Sequence, residues 1–175
     1  MLKGLHHNAY RCRDSEETRK FYEEFLGMRL AGTLEINETK TGRVTSVLHT
    51  FYEMDNGSYL AFFEAPDMPF DFKDQHDYDL HIALEVDPSV LKPMMEKGRA
   101  RGMEVRGISD HRFIDSIYFR DPNGYVIELT ARRPNHAQEM NPATNGAREK
   151  LDRWQSGKAA AAVQKHPGSA PAART

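Results

Sequence analysis

The chain carries the same order of predicted elements twice. Residues 1–65 show the pattern of one strand, one helix and three further strands, and residues 79–133 repeat that order after a linker rich in proline, aspartate and phenylalanine. Alternating apolar residues mark the strands. Asp14 with Glu17 three residues later marks the start of the first helix, which Gly27 ends. Because a repeat at the level of architecture implies two similar units, the sequence predicts an α+β fold of two βαβββ modules.

The last hairpin of the second module contains a carboxylate in an apolar strand. Residues 117–129 are predicted to form two strands joined by the turn residues Asp-Pro-Asn-Gly, with Glu128 among Val126, Ile127 and Leu129. An ionised carboxylate in such a strand is unfavourable unless a positive group pairs with it. Arginine or lysine could serve, but the neighbouring strands offer histidines instead, which favours a metal ion.

Two histidines occupy equivalent places in the two modules. His7 lies in the predicted first strand of module one, and His81 lies in that of module two. A single strand histidine is more often an ordinary core or surface residue than a ligand. The equivalence of the pair favours ligation, and Glu128 completes a set of two imidazoles and one carboxylate. Such a set leaves open metal positions and suits non-haem Fe(II). The cavity could be closed within one chain or between two chains.

Composition restricts the partners. The net charge of −2 indicates neither a nucleic-acid surface nor a strongly acidic ligand. Cys12 is the single cysteine, which excludes an intrachain disulfide and fits a reducing compartment. No apolar stretch approaches the roughly 18–20 residues of a membrane span, and the N-terminus lacks a signal-sequence pattern. We therefore expect a cytoplasmic protein without a membrane or nucleic-acid partner.

The composition changes after the second module. Residues 134–175 are predicted to be a polar C-terminal extension, separate from the domain formed by residues 1–133. A short helix is expected within residues 141–154. Residues 156–175 are rich in Ala, Pro, Gly, Ser and Lys, which is typical of a flexible extension.

Several segments together resemble the vicinal oxygen chelate superfamily, which includes glyoxalase I, fosfomycin-resistance enzymes, bleomycin-resistance proteins and type I extradiol dioxygenases. The segments are the stretches beginning at His7 and His81, Phe21-Tyr22 with Leu26-Gly27, and Asp121-Pro122-Asn123-Gly124 ending at Glu128. The resemblance covers about residues 3–131. It implies paired βαβββ modules that form a half-open barrel around a metal cavity, with His7, His81 and Glu128 as ligands. We expect a homo-oligomer, a dimer.

Within the superfamily, the second module is similar to the extradiol dioxygenases. The stretch from His111 to Glu128 matches their signature. The one departure lies two residues before it, at Ser109. In that family the tyrosine, here Tyr118, hydrogen-bonds the bound catecholate, and the histidine, here His111, sits over the active site. The resemblance therefore favours an Fe(II)-dependent dioxygenase that cleaves a small aromatic diol with O₂.

The glyoxalase branch differs by a fourth ligand, usually Glu, in the fourth strand. The predicted register places Ala61 there. Glu64 is nearby, but it lies an odd number of positions away and should face the other side of the sheet. A one-residue bulge would reverse that argument. A glyoxalase-like lyase or isomerase using Mn, Zn, Ni or Co, with Glu64 as fourth ligand, is therefore the alternative.

The chain also departs from the extradiol pattern. Those enzymes carry a further histidine near the start of the fourth strand that acts as acid and base, whereas this chain has Gly57-Ser58 there. His49 on the preceding strand is the candidate substitute, with His76 in the linker as a second choice. A third interpretation is a metal-free ligand-binding protein of the bleomycin-resistance type, although such proteins usually lose the ligand residues.

Overall fold

The two predicted modules form two four-stranded mixed sheets in the computed structural model, which describes residues 1–165. The first sheet has the order β1-β4-β3-β2 and the second the order β5-β8-β7-β6. In each sheet the first and last strands of the module pair in parallel, and the remaining pairs are antiparallel. This topology confirms the α+β prediction of two βαβββ modules. The strands are β1 (His7–Arg11), β2 (Arg29–Glu38), β3 (Val44–Glu53), β4 (Tyr59–Glu64), β5 (Ile82–Glu85), β6 (Val105–Asp110), β7 (Ile114–Arg120) and β8 (Val126–Arg132).

The first helix begins at the predicted cap. The Asp14 side chain accepts a hydrogen bond of 2.7 Å from the backbone N–H of Glu17, which satisfies one free donor of the first turn. Helix α1 (Ser15–Arg19) continues as a π-helical turn over Lys20–Phe25. The predicted apolar face is buried and consists of Thr18, Phe21, Tyr22 and Phe25. The π-helical turn was not predicted, because the residues of that face follow the i, i+3, i+4, i+7 spacing of an ordinary α-helix.

The second helix contains two prolines. Helix α2 (Pro88–Ala100) begins with Pro88 in its first turn and includes Pro93. Proline fits the first turn because the N–H it lacks has no helical partner there. The inner Pro93 removes one hydrogen bond near the N-terminal end, and the helix continues past it.

The C-terminal segment is more helical than predicted. A short helix α3 (His136–Glu139) is followed by α4 (Ala147–Lys165), so residues 156–165 form helix rather than the expected extension. Residues 166–175, the remainder of that expected extension, lie outside the described part of the chain. Within residues 1–165, no helix combines the length and apolar character needed to cross a membrane.

A buried polar network joins the two modules. The carboxylate of Asp121 is 3% exposed and accepts hydrogen bonds from the Tyr22 hydroxyl at 3.0 Å and from the Asn123 side chain at 3.0 Å. Asn123 in turn accepts from the backbone N–H of Arg13 at 2.8 Å and donates to the Thr18 hydroxyl at 3.3 Å. The turn directly before β8 is therefore fixed to the first helix of module one.

Candidate metal centre

Strand register shows which positions of the two modules are equivalent. Ala9 pairs with Ala61 across β1 and β4, and Ala83 pairs with Glu128 across β5 and β8. Each first-strand alanine lies two residues after the predicted histidine ligand of its module. Ala61 therefore occupies in module one the place that Glu128 occupies in module two. Module two carries both a histidine and an acid at these places, whereas module one carries only the histidine.

His81 and Glu128 lie side by side. The His81 Nε2 atom is 3.2 Å from a carboxylate oxygen of Glu128, and Glu128 is only 5% exposed. The Nδ1 atom of His81 is 2.8 Å from the backbone oxygen of Asp77. Because a carbonyl oxygen only accepts, Nδ1 donates to it, and Nε2 is the ring atom that faces Glu128.

This arrangement fits a metal ion. In its neutral form the His81 ring would present the Nε2 lone pair beside the carboxylate oxygen of Glu128, and one shared cation would be bound by both atoms. A separation of 3.2 Å suits two atoms that bind one metal at about 2.1 Å each. The bond from Nδ1 of His81 to a carbonyl is also the usual way in which the outer ring nitrogen of a histidine ligand is oriented. Imidazole and carboxylate donors are compatible with Mn, Fe, Co, Ni and Zn.

Tyr118 and His111 extend the pair into a chain of hydrogen bonds. Tyr118 pairs directly with Glu128 across β7 and β8, and its hydroxyl donates to a carboxylate oxygen at 3.2 Å. His111 Nε2 lies 2.8 Å from the same hydroxyl. Burial, and then the negative charge of Glu128, raise the pKa of Tyr118. Tyr118 is therefore a neutral hydrogen-bond donor at physiological pH. The structure thus brings together four of the predicted site residues.

These four side chains line one open cavity of about 740 Å³. Cationic side chains of Arg106 and Arg112 also line it, as do the apolar side chains of Phe113 and Ile114. The carboxylates of Asp77 and Asp110 line it too, so the cavity offers the His81–Glu128 pair at its wall, charged side chains of both signs beside it, and room for a small molecule.

His7 lies elsewhere in the single chain. It is exposed, its Nδ1 lies 2.7 Å from Nδ1 of His6, and the rings of Phe51 and His49 lie 5.6 and 6.1 Å away between centroids. Over residues 1–165, no group of three or more His, Cys, Asp or Glu side chains is close enough to hold a metal ion. One chain therefore assembles two of the three predicted ligands, and the role of His7 stays a prediction.

His49 is also placed away from Tyr118 and His111. It is buried, its ring stacks on Phe63 at 3.7 Å between centroids, and its Nδ1 lies 3.0 Å from the backbone oxygen of Phe62. These contacts hold the ring against module one, beside His7. Within one chain it therefore cannot act as the acid and base of the cavity that contains Glu128.

Glu64 faces the side of the sheet that the register argument predicted. Its carboxylate accepts a hydrogen bond of 2.8 Å from the backbone N–H of Ser15, at the start of α1. Ala61 lies an odd number of positions away and so faces the opposite side, together with His7. In this chain Glu64 therefore accepts a hydrogen bond from the first residue of helix α1.

Two residues that contact the centre were not predicted from the sequence. Asp77 supplies the carbonyl that accepts from His81, and Arg106 donates to the Asp77 carboxylate at 2.6 Å. The contact joins the linker to β6, which strand and helix patterns do not predict. The only local signal was that Asp77 precedes His81 by four residues.

Comparison with protein families agrees with this architecture. A family model described as the Glyoxalase/Bleomycin resistance protein/Dioxygenase superfamily matches residues 4–129. The chain belongs to this superfamily. The match ends one residue after Glu128, so it includes both modules and all of the candidate centre.

Individual members of the superfamily share only a small part of their sequence with this chain. The metallothiol transferase FosB of Shouchella clausii (strain KSM-K16) is 25% identical over 156 residues, covering 81% of this chain and 92% of that protein. The crystal structure of the fosfomycin resistance protein FosX of Listeria monocytogenes, complexed with Mn(II) and sulfate, aligns with a TM-score of 0.58 at 20% identity, covering 79% of this chain and 99% of FosX. A glyoxalase/dioxygenase of Nostoc punctiforme aligns with a TM-score of 0.57 at 20% identity, covering 75% and 92% of the two chains.

These relatives correct the choice of branch. At such identities the structural matches establish the fold alone. The specifically named relatives are a metallothiol transferase and a fosfomycin resistance protein rather than extradiol dioxygenases. Membership of the superfamily is thus confirmed, whereas the preference for its extradiol branch, with an aromatic diol and O₂ as substrates, is not supported. The similarity favours the lyase-like alternative.

Proposed function

We propose that the protein is a divalent-metal enzyme of the lyase or transferase type, which adds a nucleophile to a small anionic substrate or rearranges such an adduct. The observation that carries the proposal is the contact of 3.2 Å between Nε2 of His81 and the buried carboxylate of Glu128. Imidazole and carboxylate atoms at this separation suit a shared divalent metal. The Mn(II) in the FosX structure supports Mn(II) as a first choice, and Fe(II) remains a proposal.

A second copy of the chain would supply the third ligand. His7 is exposed on the face of its sheet that carries Ala61, and module one has no acid at the equivalent of Glu128. Each chain therefore has one histidine without an acid and one complete His–Glu pair. In a symmetric dimer, His7 of the partner subunit would complete each pair, and two identical sites would form.

The chain's own residues divide the remaining work. The metal would act as a Lewis acid that polarises an oxygen of the substrate. Tyr118 holds a proton at its hydroxyl and can donate it to a negative oxygen that develops beside Glu128. His111, 2.8 Å from that hydroxyl, can replace the proton.

The guanidinium of Arg112 gives the cavity a place for an anionic substrate. Arg106 and Arg112 line the cavity together with Asp77 and Asp110, and Arg106 pairs with Asp77. A phosphonate or carboxylate group would find charge-assisted donors at this wall. The sulfate in the FosX crystal structure is consistent with such a group on this fold.

Extradiol ring cleavage is the second candidate. One observation supports it: His111, Tyr118 and Glu128 are in continuous contact at 2.8 and 3.2 Å, so both residues of the extradiol signature lie beside the proposed ligand Glu128. The further histidine that extradiol enzymes carry near the start of the fourth strand is replaced by Gly57-Ser58, and the candidate substitute His49 stacks on Phe63 in module one.

Metal reconstitution with a substrate panel tests both candidates. Metal-free protein would be loaded anaerobically with Mn(II), Fe(II), Ni(II) or Zn(II) and offered fosfomycin with water or a thiol, a thiol–aldehyde adduct, and a set of catechols. We expect metal-dependent turnover of fosfomycin or of the thiol–aldehyde adduct, with NMR used to monitor the reaction. A yellow ring-cleavage product with Fe(II) and O₂ alone would select the extradiol candidate instead.

Two glutamate variants provide a matched control for the site. Glu128→Gln keeps the side-chain shape but removes the charge, and we expect it to abolish metal binding. Glu64→Gln makes the same change in the first sheet, on the face directed away from His7. This variant should bind metal like the wild type. Equal metal binding by all three proteins would refute the proposed centre.

A further inference from the structure

We infer that Arg106 is a positioning residue that holds both ligands of the metal centre at once, an inference that rests on the metal role proposed above. One arm runs through Asp77 to His81, and the other runs through Tyr118 to Glu128. Arg106 contacts neither ligand directly, so its effect is transmitted by the two residues between.

The first arm fixes the imidazole. A guanidinium nitrogen of Arg106 donates to the Asp77 carboxylate at 2.6 Å, and the backbone oxygen of Asp77 accepts from His81 Nδ1 at 2.8 Å. Asp77 belongs to the linker between the modules, where no strand or helix holds the backbone. The ion pair therefore attaches the linker to β6 at the residue whose carbonyl sets the proton position and orientation of His81.

The second arm fixes the phenol. Arg106 and Tyr118 pair directly across β6 and β7, and the guanidinium carbon lies 5.1 Å from the centre of the Tyr118 ring. A guanidinium stacked on an aromatic face restricts the ring through cation–π attraction. The hydroxyl of that ring donates to Glu128 at 3.2 Å. The same planar group thus bonds to Asp77 while it covers Tyr118.

The exposure of Arg106 separates a positioning role from a structural one. Its side chain is 48% exposed, and an ion pair at such a place contributes little to folding stability. Loss of a residue that orients metal ligands typically lowers metal affinity by 10–100-fold. We therefore expect Arg106→Gln to lower Mn(II) affinity by roughly 10–100-fold, while the melting temperature of the metal-free protein stays within about 3 °C of the wild type.

Electron paramagnetic resonance of free Mn(II) measures this affinity without any substrate. Arg132→Gln is the matched control, because Arg132 makes an ion pair of the same length, 2.6 Å, with Glu85 in the same sheet at similar exposure, 58%. We expect the control to bind Mn(II) like the wild type. Arg106→Lys keeps the charge but not the planar fork, so it should recover only part of the affinity. Wild-type affinity in Arg106→Gln or in Arg106→Lys would overturn the inference.

A double-mutant cycle and the His81 ring provide the second readout. If Arg106 acts on His81 through the Asp77 carboxylate, Asp77→Asn should weaken Mn(II) binding alone but add nothing in the Arg106→Gln background. Long-range ¹H–¹⁵N spectra should show one His81 tautomer in the wild type and a mixture in Arg106→Gln. Fully additive losses with an unchanged tautomer would contradict the path. Failure of the wild type itself to bind Mn(II) would instead refute the proposed function.

Discussion

A heterodimer of two defective chains gives the sharpest test of a site shared between subunits. One chain would carry His7→Ala and the other Glu128→Gln, with different affinity tags so that the mixed dimer can be purified. The structure motivates the pairing, because the His81–Glu128 contact of 3.2 Å forms within one chain while His7 lies against His49 in the other module. The two substitutions therefore damage different halves of a shared site.

The expected stoichiometry follows from two-fold symmetry. In the mixed dimer, one site combines the intact His7 of the Glu128→Gln chain with the intact pair of the other chain, and the second site has both defects. We expect about one tightly bound Mn(II) per mixed dimer, against about two for the wild type and none for either homodimer. Calorimetric titration of metal-free dimers measures the number directly.

A second mixed dimer is the control. Its chains carry His81→Ala and Glu128→Gln, which damage the same half of the site, so no intact combination exists in it and no tight Mn(II) should bind. Should the first mixed dimer bind no Mn(II) while the wild type binds about two, the site is not shared between chains in this way. Binding in both mixed dimers would show that His81 and Glu128 do not belong to one half-site.

Three further outcomes follow from single contacts. Tyr118→Phe should keep Mn(II) affinity but lower kcat by about 10–100-fold, because it removes one hydrogen bond to charge at the site; loss of the metal would show that its role is wrongly assigned. Gly98→Ala should cost about 1–3 kcal/mol in urea unfolding through overpacking, because its new Cβ would lie 2.5 Å from Phe119; an equally stable variant would refute the close packing. Burial raises the pKa of Asp121 above its ordinary 3.8. The folded protein therefore holds the carboxyl proton of Asp121 more tightly than the unfolded chain does, and the contribution of this group to the free energy of unfolding falls as pH rises through the range just above 3.8. Asp121→Asn should lack that slope, measured as the difference in unfolding free energy from wild type between about pH 4 and about pH 6.

Local patterns were sufficient for most of the fold. The cap at Asp14 and the apolar face of the first helix are set by residues three and four apart, and strand alternation placed Glu64 on the side away from Ala61. These features depend on spacing along the chain, which a sequence displays directly. The equivalence of His7 and His81 was visible for the same reason.

The features that the sequence did not show depend on contacts between distant residues. Nothing local shows that His49 stacks on Phe63 or that the two modules of one chain keep His7 away from Glu128. The pair of Arg106 and Asp77 joins residues 29 positions apart, one of them in a linker. The length of α4 was also missed, because its alanine-rich sequence was interpreted from composition rather than from helix propensity.

The buried network around Asp121 has a consequence for how metal is taken up. Since that network fastens the turn before β8 to the first helix, its hydrogen bonds oppose a movement of module one that would carry His7 toward Glu128 within one chain. A centre finished by a neighbouring molecule would then couple ion uptake to association, so that dilution strips the ion and added ion draws monomers together. The cell's concentration of this protein would thereby become one of the variables that set how much of it is active.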